Sequence, residues 1–314
     1  MIDAGLLARL ACPRDGDPLE IRGGGLRCPA GHAYAVEDGI PVLLAGEPVR
    51  AGGEAGGAGE GGAVDPFVER ALVATCGNLY RPVQGRLPRH PIPELRIAPA
   101  GDEVLLDVGC NWGRWSVSAA RRGFRVVGVD HNLDALRAAR RVARRCGVRA
   151  DFVAGDARAL PFRRGAFDVV FSYSVLQHLA PEDARRAFRE IGRVVRGGGR
   201  TLVQMANAWG ARNLLLQARR GGRASRDMEV RYWRPSALLR EFGGAVGPSR
   251  LLADGFGGLG VQPADADLFP PRYRALVRVS EALRAATRAL PWLALAADSV
   301  YLESVASPDA GAAR

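Results

Sequence analysis

The sequence predicts an α/β chain built on a doubly wound parallel sheet, and three features carry that expectation. An apolar, β-branched run, Val104-Leu105-Leu106-Asp107-Val108, meets a glycine-bearing turn, Gly109-Cys110-Asn111-Trp112-Gly113, and then a segment able to start a helix. Runs of the same kind recur at Arg125–Asp130, at 150–156 and at Phe167–Ser172. Helical patterns over 133–146 and 181–195 follow the second and fourth runs. Such alternation gives a parallel sheet covered by helices on both faces. Sheets of this kind bind ligands at the carboxyl ends of their strands.

In chain order, residues 1–45 read as a small β module. Residues 6–10 can form a short helical start. Two turns, Cys12-Pro13-Arg14-Asp15 and Cys28-Pro29-Ala30-Gly31-His32, flank a short hairpin, and 38–44 closes the unit. The pattern resembles zinc-ribbon-like modules, which carry Cys-x-x-Cys followed by Cys-x-x-Cys or Cys-x-x-x-His. Here Asp15 stands at the second cysteine position. Zinc accepts carboxylate oxygen beside thiolate and imidazole, so Cys12, Asp15, Cys28 and His32 are a candidate tetrahedral set. The alternative is a ribbon held by packing alone.

Residues 46–63 are glycine-dominated and without periodicity, which reads as a flexible linker and a domain boundary. A linker of this kind implies that the units on either side need not hold a fixed geometry. Residues 64–306 are expected to form the main domain and 307–314 a disordered tail. The leader of that domain is amphipathic from Pro66 to Thr75, with Phe67, Ala71 and Leu72 at helical spacing, and Tyr80 follows.

The turn after the first strand decides between ligand classes. A dinucleotide fingerprint needs glycine at the first, third and sixth loop positions, which here hold Gly109, Asn111 and Arg114. A phosphate loop is excluded because no Gly-Lys-Ser/Thr follows. The acid-x-Gly-x-x-x-Gly that remains resembles the first motif of the class I S-adenosylmethionine (SAM) methyltransferases. Asp107, Gly109 and Gly113 match it; Asn111 replaces the central glycine and tolerates left-handed backbone. The resemblance, closest to the ubiquinone-biosynthesis type, covers about 100 to 206 well and implies a Rossmann-like seven-stranded sheet.

It also implies SAM as cofactor and assigns roles. Gly109, Cys110, Asn111 and Gly113 would form the cradle, with Gly109 admitting the ligand and Gly113 allowing tight helix–strand packing. Asp130 would accept both ribose hydroxyls, with His131 lining the ribose and adenine end. Asp156, at the end of the third strand, would take the adenine amine and the amide of Ala157 would donate to the ring. Ser172 ends the fourth strand, where the family closes the SAM site. Tyr80 would lie over the cofactor or simply in the core. Zinc-ribbon-like modules precede some members of this family, including ribosomal RNA guanine-N1 methyltransferases, and similar free-standing ribbons activate others.

The remaining elements follow the same alternation. Glu182 and Asp183 favour the first turn of the second helix through its dipole. Gly197-Gly198-Gly199 is expected to end that helix before a fifth strand over 200–205. A helix over 234–242, a weak strand over 250–253 and a final strand over 298–305 complete the domain. The segments 207–231 and 254–297 read as lids over the acceptor site.

Bulk properties narrow the class. No run of about 20 uncharged apolar residues occurs, so no membrane span is expected. Five scattered cysteines do not make a disulfide framework. With no basic-then-apolar start, a cytoplasmic location is expected. The net charge of +11 can suggest nucleic acid, but all 44 basic residues are Arg, many on outer helix faces. Residues 1–50 carry five arginines against seven acids.

His178, just past the fourth strand, has an ordinary pKa suited to general base work. No Asn-Pro-Pro-Tyr-like motif stands there; the place holds Ser172-Tyr173-Ser174-Val175. The expected activity is SAM-dependent methylation of a hydroxyl or amine on a small molecule such as a natural product, sugar or lipid-like acceptor. The alternatives are an RNA base methyltransferase whose module reads RNA, and a partner-docking module on a silent fold.

Overall fold

A near-continuous apolar run, broken only by Asp107, leaves the central strand buried along its whole length, and the sheet is built outward from it. The computed structural model describes residues 2–46, 63–221, 223, 229–258, 260 and 262–308. The central strand, β6 (Val104–Val108), pairs in parallel with β7 (Arg125–Asp130) on one side and β9 (Phe167–Ser172) on the other. Beyond β7 lies β8 (Asp151–Ala154), and beyond β9 lies β10 (Val195–Ala206), both parallel. The reversed strand β12 (Ser299–Val305) then pairs antiparallel with β10 and with β11 (Ser249–Gly255). The chain crosses from one half of the sheet to the other after β8, so the switch point lies between β6 and β9. This is the doubly wound α/β sheet expected, with seven strands.

The helices of this domain are α2 (Pro66–Cys76), α3 (Arg114–Arg121), α4 (Leu133–Arg145) and α5 (Pro181–Val194), then α6 (Ala211–Arg220), α7 (Pro235–Ala245) and α8 (Pro271–Ala286). Pro181 at the first turn of α5 and Asn132 capping α4 set their starts. The three glycines 197–199 do not end α5. That helix passes directly into β10, and the glycines form an irregularity between Val195 and Arg200 where the register against β9 shifts. The third strand is shorter than read, leaving Gly155 and Asp156 in the following loop. Among the described residues no helix is long and apolar enough to cross a membrane.

The module contains α1 (Ala4–Leu7), then β1 (Glu20–Arg22), β2 (Gly25–Arg27) and β3 (Ala33–Tyr34), then β4 (Val36–Glu37) and β5 (Ile40–Pro41). It is docked on the sheet. Leu43 N–H donates to Ala154 O at 2.8 Å and Val42 pairs in parallel with Ala154, extending the β8 edge. Ala11 N–H donates to Pro161 O at 3.0 Å, and Arg163 N–H to Arg9 O at 2.8 Å. Leu6, Leu10 and Leu26 share one core with Phe162 and Val153. Arg137 on α4 reaches Glu37 and Asp38 at 3.0 and 2.8 Å. The freedom that the glycine linker implies is therefore removed by backbone pairing and burial. Most of that linker, 47–62, lies outside the described residues, as do 222, 224–228 within the first lid and 309–314 of the tail.

Candidate functional site

The tips of β6 and β7 bring two carboxylates into the interior. Asp107 is 1% exposed and accepts a 2.6 Å hydrogen bond from Ser116 Oγ. Burial raises its pKa to about 7, with the neighbouring Asp130 adding repulsion and Ser116 opposing the rise. Asp130 is also buried, and burial raises its pKa against His131 and backbone amides. Its carboxylate accepts from Asn111 N–H and Asn132 N–H, both at 2.9 Å, with His131 Nδ1 at 3.6 Å. Neither acid has a guanidinium partner, although most acids in this arginine-rich chain do. Among the described residues no guanidinium pairs with either strand-tip acid, and His131 is the basic side chain beside Asp130.

The turn between them is held by Gly109 N–H and Cys110 N–H, which both donate to Val129 O. Asn111 adopts φ 47°, the left-handed conformation its side chain tolerates. Gly109 has φ 74°, and a Cβ there would lie 2.3 Å from Val175 Cγ2. The close approach at Gly109 is thus to a protein side chain rather than open space for a ligand. Gly113 allows α3 to pack on α4, since its Cβ would meet Ala139 Cβ at 3.1 Å. Cys110 is buried, its thiol beside Gly128. Ser172 is fully buried and donates its hydroxyl to Val108 O at 2.9 Å, stapling β9 to β6.

Asp156 lies on the loop after β8. Burial works to raise its pKa, but the guanidinium and amide of Arg158 outweigh that and hold it low. Both carboxylate oxygens face Arg158 Nε at 3.0 Å, and the guanidinium also reaches Asp183. Ala157 is half-buried beside it. Tyr80 belongs to the core. It is buried, donates to Asp265, and accepts from Arg114 at 2.6 Å.

Beside the first turn of α3 opens a cavity of about 560 Å³. Its walls come from the leader at 73–79, from Tyr173, Ser174 and His178 past β9, from Arg212 and Asn213 on α6, and from Gly257 and Gly258. Both expected lids therefore contribute, and His178 sits in the wall. The turn bearing His178 is clamped from outside, with Arg231 N–H donating to Gln177 O at 2.8 Å and the Arg231 guanidinium to His178 O. Of the neighbouring aromatics, Tyr232 lines the cavity, whereas Trp233 packs in the core against Phe188.

Two features of this cavity have no sequence signature. Asp298 is buried and accepts Gly257 N–H at 2.6 Å, Gly258 N–H at 3.1 Å and Asn213 N–H at 3.0 Å, joining the two lids. Ser174, with φ 59°, donates its N–H to Gln204 Oε1 at 2.7 Å. Gln204 leads through Ser299 to Asp254, which accepts from Tyr173 at 2.8 Å. A left-handed serine after a strand was the one detectable hint, and only the backbone reveals it.

In the module, Cys12, Asp15, Cys28 and His32 each offer one ligand atom, and these atoms all lie within 4.8 Å of one another. His32 Nδ1 is 2.9 Å from Asp15 Oδ2, 3.4 Å from Cys28 Sγ and 3.5 Å from Cys12 Sγ. A tetrahedral zinc ion with bonds of about 2.0–2.3 Å spaces its ligands by roughly 3.3–3.8 Å. The two sulfur–imidazole separations fall in that range and the 2.9 Å between His32 and Asp15 is shorter, while two sulfurs, one imidazole and one carboxylate are donors that zinc accepts. The carboxylate of Asp15 is held well below the usual range, chiefly by hydrogen bonding from Cys12 and then by the Asp17 amide.

A family model described as a methyltransferase domain matches residues 105–199. The chain is 36% identical over 119 residues to a ubiquinone biosynthesis O-methyltransferase of Ralstonia nicotianae, covering 36% of this chain and 49% of that protein. It is 30% identical over 170 residues to the protein of the same description from Pectobacterium atrosepticum, covering 49% of this chain and 68% of that one. The chain thus spans about half of one of these curated relatives and about two thirds of the other. A solved SAM-dependent methyltransferase from Methanosarcina mazei is 22% identical, with a TM-score of 0.43 over 49% of this chain and 85% of that one.

Proposed function

The chain belongs to the class I SAM-dependent methyltransferases, and from that premise we propose that it methylates a hydroxyl or amine of a small-molecule acceptor held in the 560 Å³ cavity. The observation that carries the cofactor assignment is the pair of buried acids, Asp107 and Asp130, without a guanidinium partner among the described residues. A nucleoside bearing a sulfonium and an ammonium supplies the missing positive charge. When bound, SAM supplies an electrophilic methyl group. Asp130 accepts the ribose hydroxyls, with His131 beside it, and the 109–113 turn carries the body of the ligand. The amide of Ala157 and the carboxylate of Asp156 read the adenine; Arg158 must then share or yield that carboxylate.

The rest is positioning. The cavity has the volume of a small-ligand site. Aligning an acceptor and excluding water can contribute ~7–11 kcal/mol to the barrier reduction. His178 takes the proton when the acceptor is a hydroxyl. The relatives described as ubiquinone biosynthesis O-methyltransferases support the choice of a hydroxyl over an amine. An RNA acceptor draws on the overall charge and on the N-terminal module as RNA reader, but residues 1–50 are acidic on balance. We further propose that Cys12, Asp15, Cys28 and His32 hold a structural zinc ion.

Titration calorimetry with SAM tests the assignment. Asp130→Ala should weaken binding about tenfold or more, the loss of ~1.5–3 kcal/mol expected for hydrogen bonds to a charged group. Equal affinity in the variant, or no binding to the parent protein, refutes it.

A further inference from the structure

We propose that the outer face built by α6, α8 and the turn after α8 docks on an anionic lipid bilayer, placing the cavity where it can take an amphiphilic acceptor from the membrane surface. The docking rests on this surface alone; what enters the cavity rests on the small-molecule reading above.

Large apolar side chains left in water are concentrated here. Among the described residues, nine of the eleven exposed large hydrophobics lie between 209 and 295. On α8, Leu276, Val279 and Leu283 follow at i, i+3 and i+7, one stripe running beside the buried Val277 and Ser280. The helix therefore has an inner face that packs and an outer apolar stripe left about half exposed. On α6, Leu214 and Leu215 are each 51% exposed. Trp292, 64% exposed, and Trp209 add indoles, side chains that favour the bilayer interface. Scattered apolar residues need no explanation, but a concentration on the elements around one cavity marks an interaction surface.

The charge around these residues selects the partner. No acid occurs in α6, and Glu281, the one acid in α8, is bound by Arg96 and Arg284. Arg212, Arg219, Arg272, Arg278 and Arg288 have no carboxylate partner among the described residues. Guanidinium groups on long apolar stems beside exposed leucine and tryptophan suit a surface of anionic headgroups over hydrocarbon. Each such arginine adds an attraction to an anionic surface that salt screens. The face is continuous with the cavity, because Leu276 lines it while half exposed, and Arg212 stands in its wall.

The test is co-sedimentation of the full chain with phosphatidylcholine vesicles with and without phosphatidylglycerol, alongside indole emission. Binding is expected to the anionic vesicles, with a blue shift, and to weaken as salt rises. The double variant Val279→Glu, Trp292→Glu changes two exposed side chains and should cut vesicle binding about tenfold or more while leaving SAM affinity unchanged. Failure to bind anionic vesicles overturns the proposal. So does a parent dimer, seen by light scattering, that the variant splits without any vesicle binding, since a second copy then covers the face. Vesicle binding without SAM binding would instead sink the functional reading and leave the docking intact.

Discussion

The Arg114 guanidinium on α3 and the Asp265 carboxylate in the second lid meet at 2.8 Å, both buried, with the Tyr80 hydroxyl between them. Three elements far apart in sequence are thereby fixed beside the cavity. A second arginine, Arg89, stands 3.6 Å from the other oxygen of Asp265. Burial alone would lower the pKa of Arg114, but its acidic surroundings raise it overall, so the guanidinium stays charged.

Asp265→Ala should therefore destabilise the fold by about 3–5 kcal/mol, because it leaves a buried guanidinium unpaired. The paired replacement Arg114→Met, Asp265→Leu should recover most of that loss. Denaturant titration of the three proteins decides it. A single variant within about 1 kcal/mol of the parent would show that the pair is not holding the lid.

The pH dependence of the cofactor-free protein should carry the mark of Asp107. Its folded pKa, about 7, lies above the ordinary carboxylate value. The proton-bound form is thus favoured in the fold, and its stabilising contribution is complete below about pH 4 and lost as pH rises through 7. Asp107→Asn keeps an acceptor for Ser116 and cannot ionise. Between pH 5.5 and 8 the parent should lose about 2 kcal/mol relative to that variant. Parallel melting temperatures of the two across the range would show that Asp107 is ionised throughout.

Metal removal should be felt at the loop after β8. Protein purified without a metal-binding tag should carry about one zinc per chain, and a chelator should release it. Ala11 and Leu43 bond to Pro161 and Ala154. Hydrogen exchange at their amides and at Arg163 should accelerate after chelation, and Asp15→Cys should retain the ion. A protein without zinc, whose exchange is indifferent to the chelator, would leave the ribbon held by packing alone.

What was legible in the sequence is what repeats at short range. The strand tips at Asp107 and Asp130 follow from apolar runs that end at a turn, and the left-handed Asn111 from the chemistry of its side chain. The Cys12, Asp15, Cys28 and His32 group follows from spacing within two turns. Asp254, Asp265 and Asp298 were not legible, because each acts through partners on other elements, the Tyr80–Asp265 contact spanning 185 positions. The glycines 197–199 read as a helix stop, but pairing with β9 and β12 carried the strand back through them. The linker composition was read as freedom between the units, whereas three backbone bonds, Leu43 to Ala154, Ala11 to Pro161 and Arg163 to Arg9, join them.

Asp298 takes amide hydrogens from α6 on one side and from Gly257 and Gly258 on the other. A Cβ at Gly210 would fall 2.4 Å from its Cα, so the start of α6 rests directly against it. One carboxylate is a shared hinge pin for opposite flanks of the chamber. Moving either flank away from Asp298 costs the hydrogen bonds that tie it to the other.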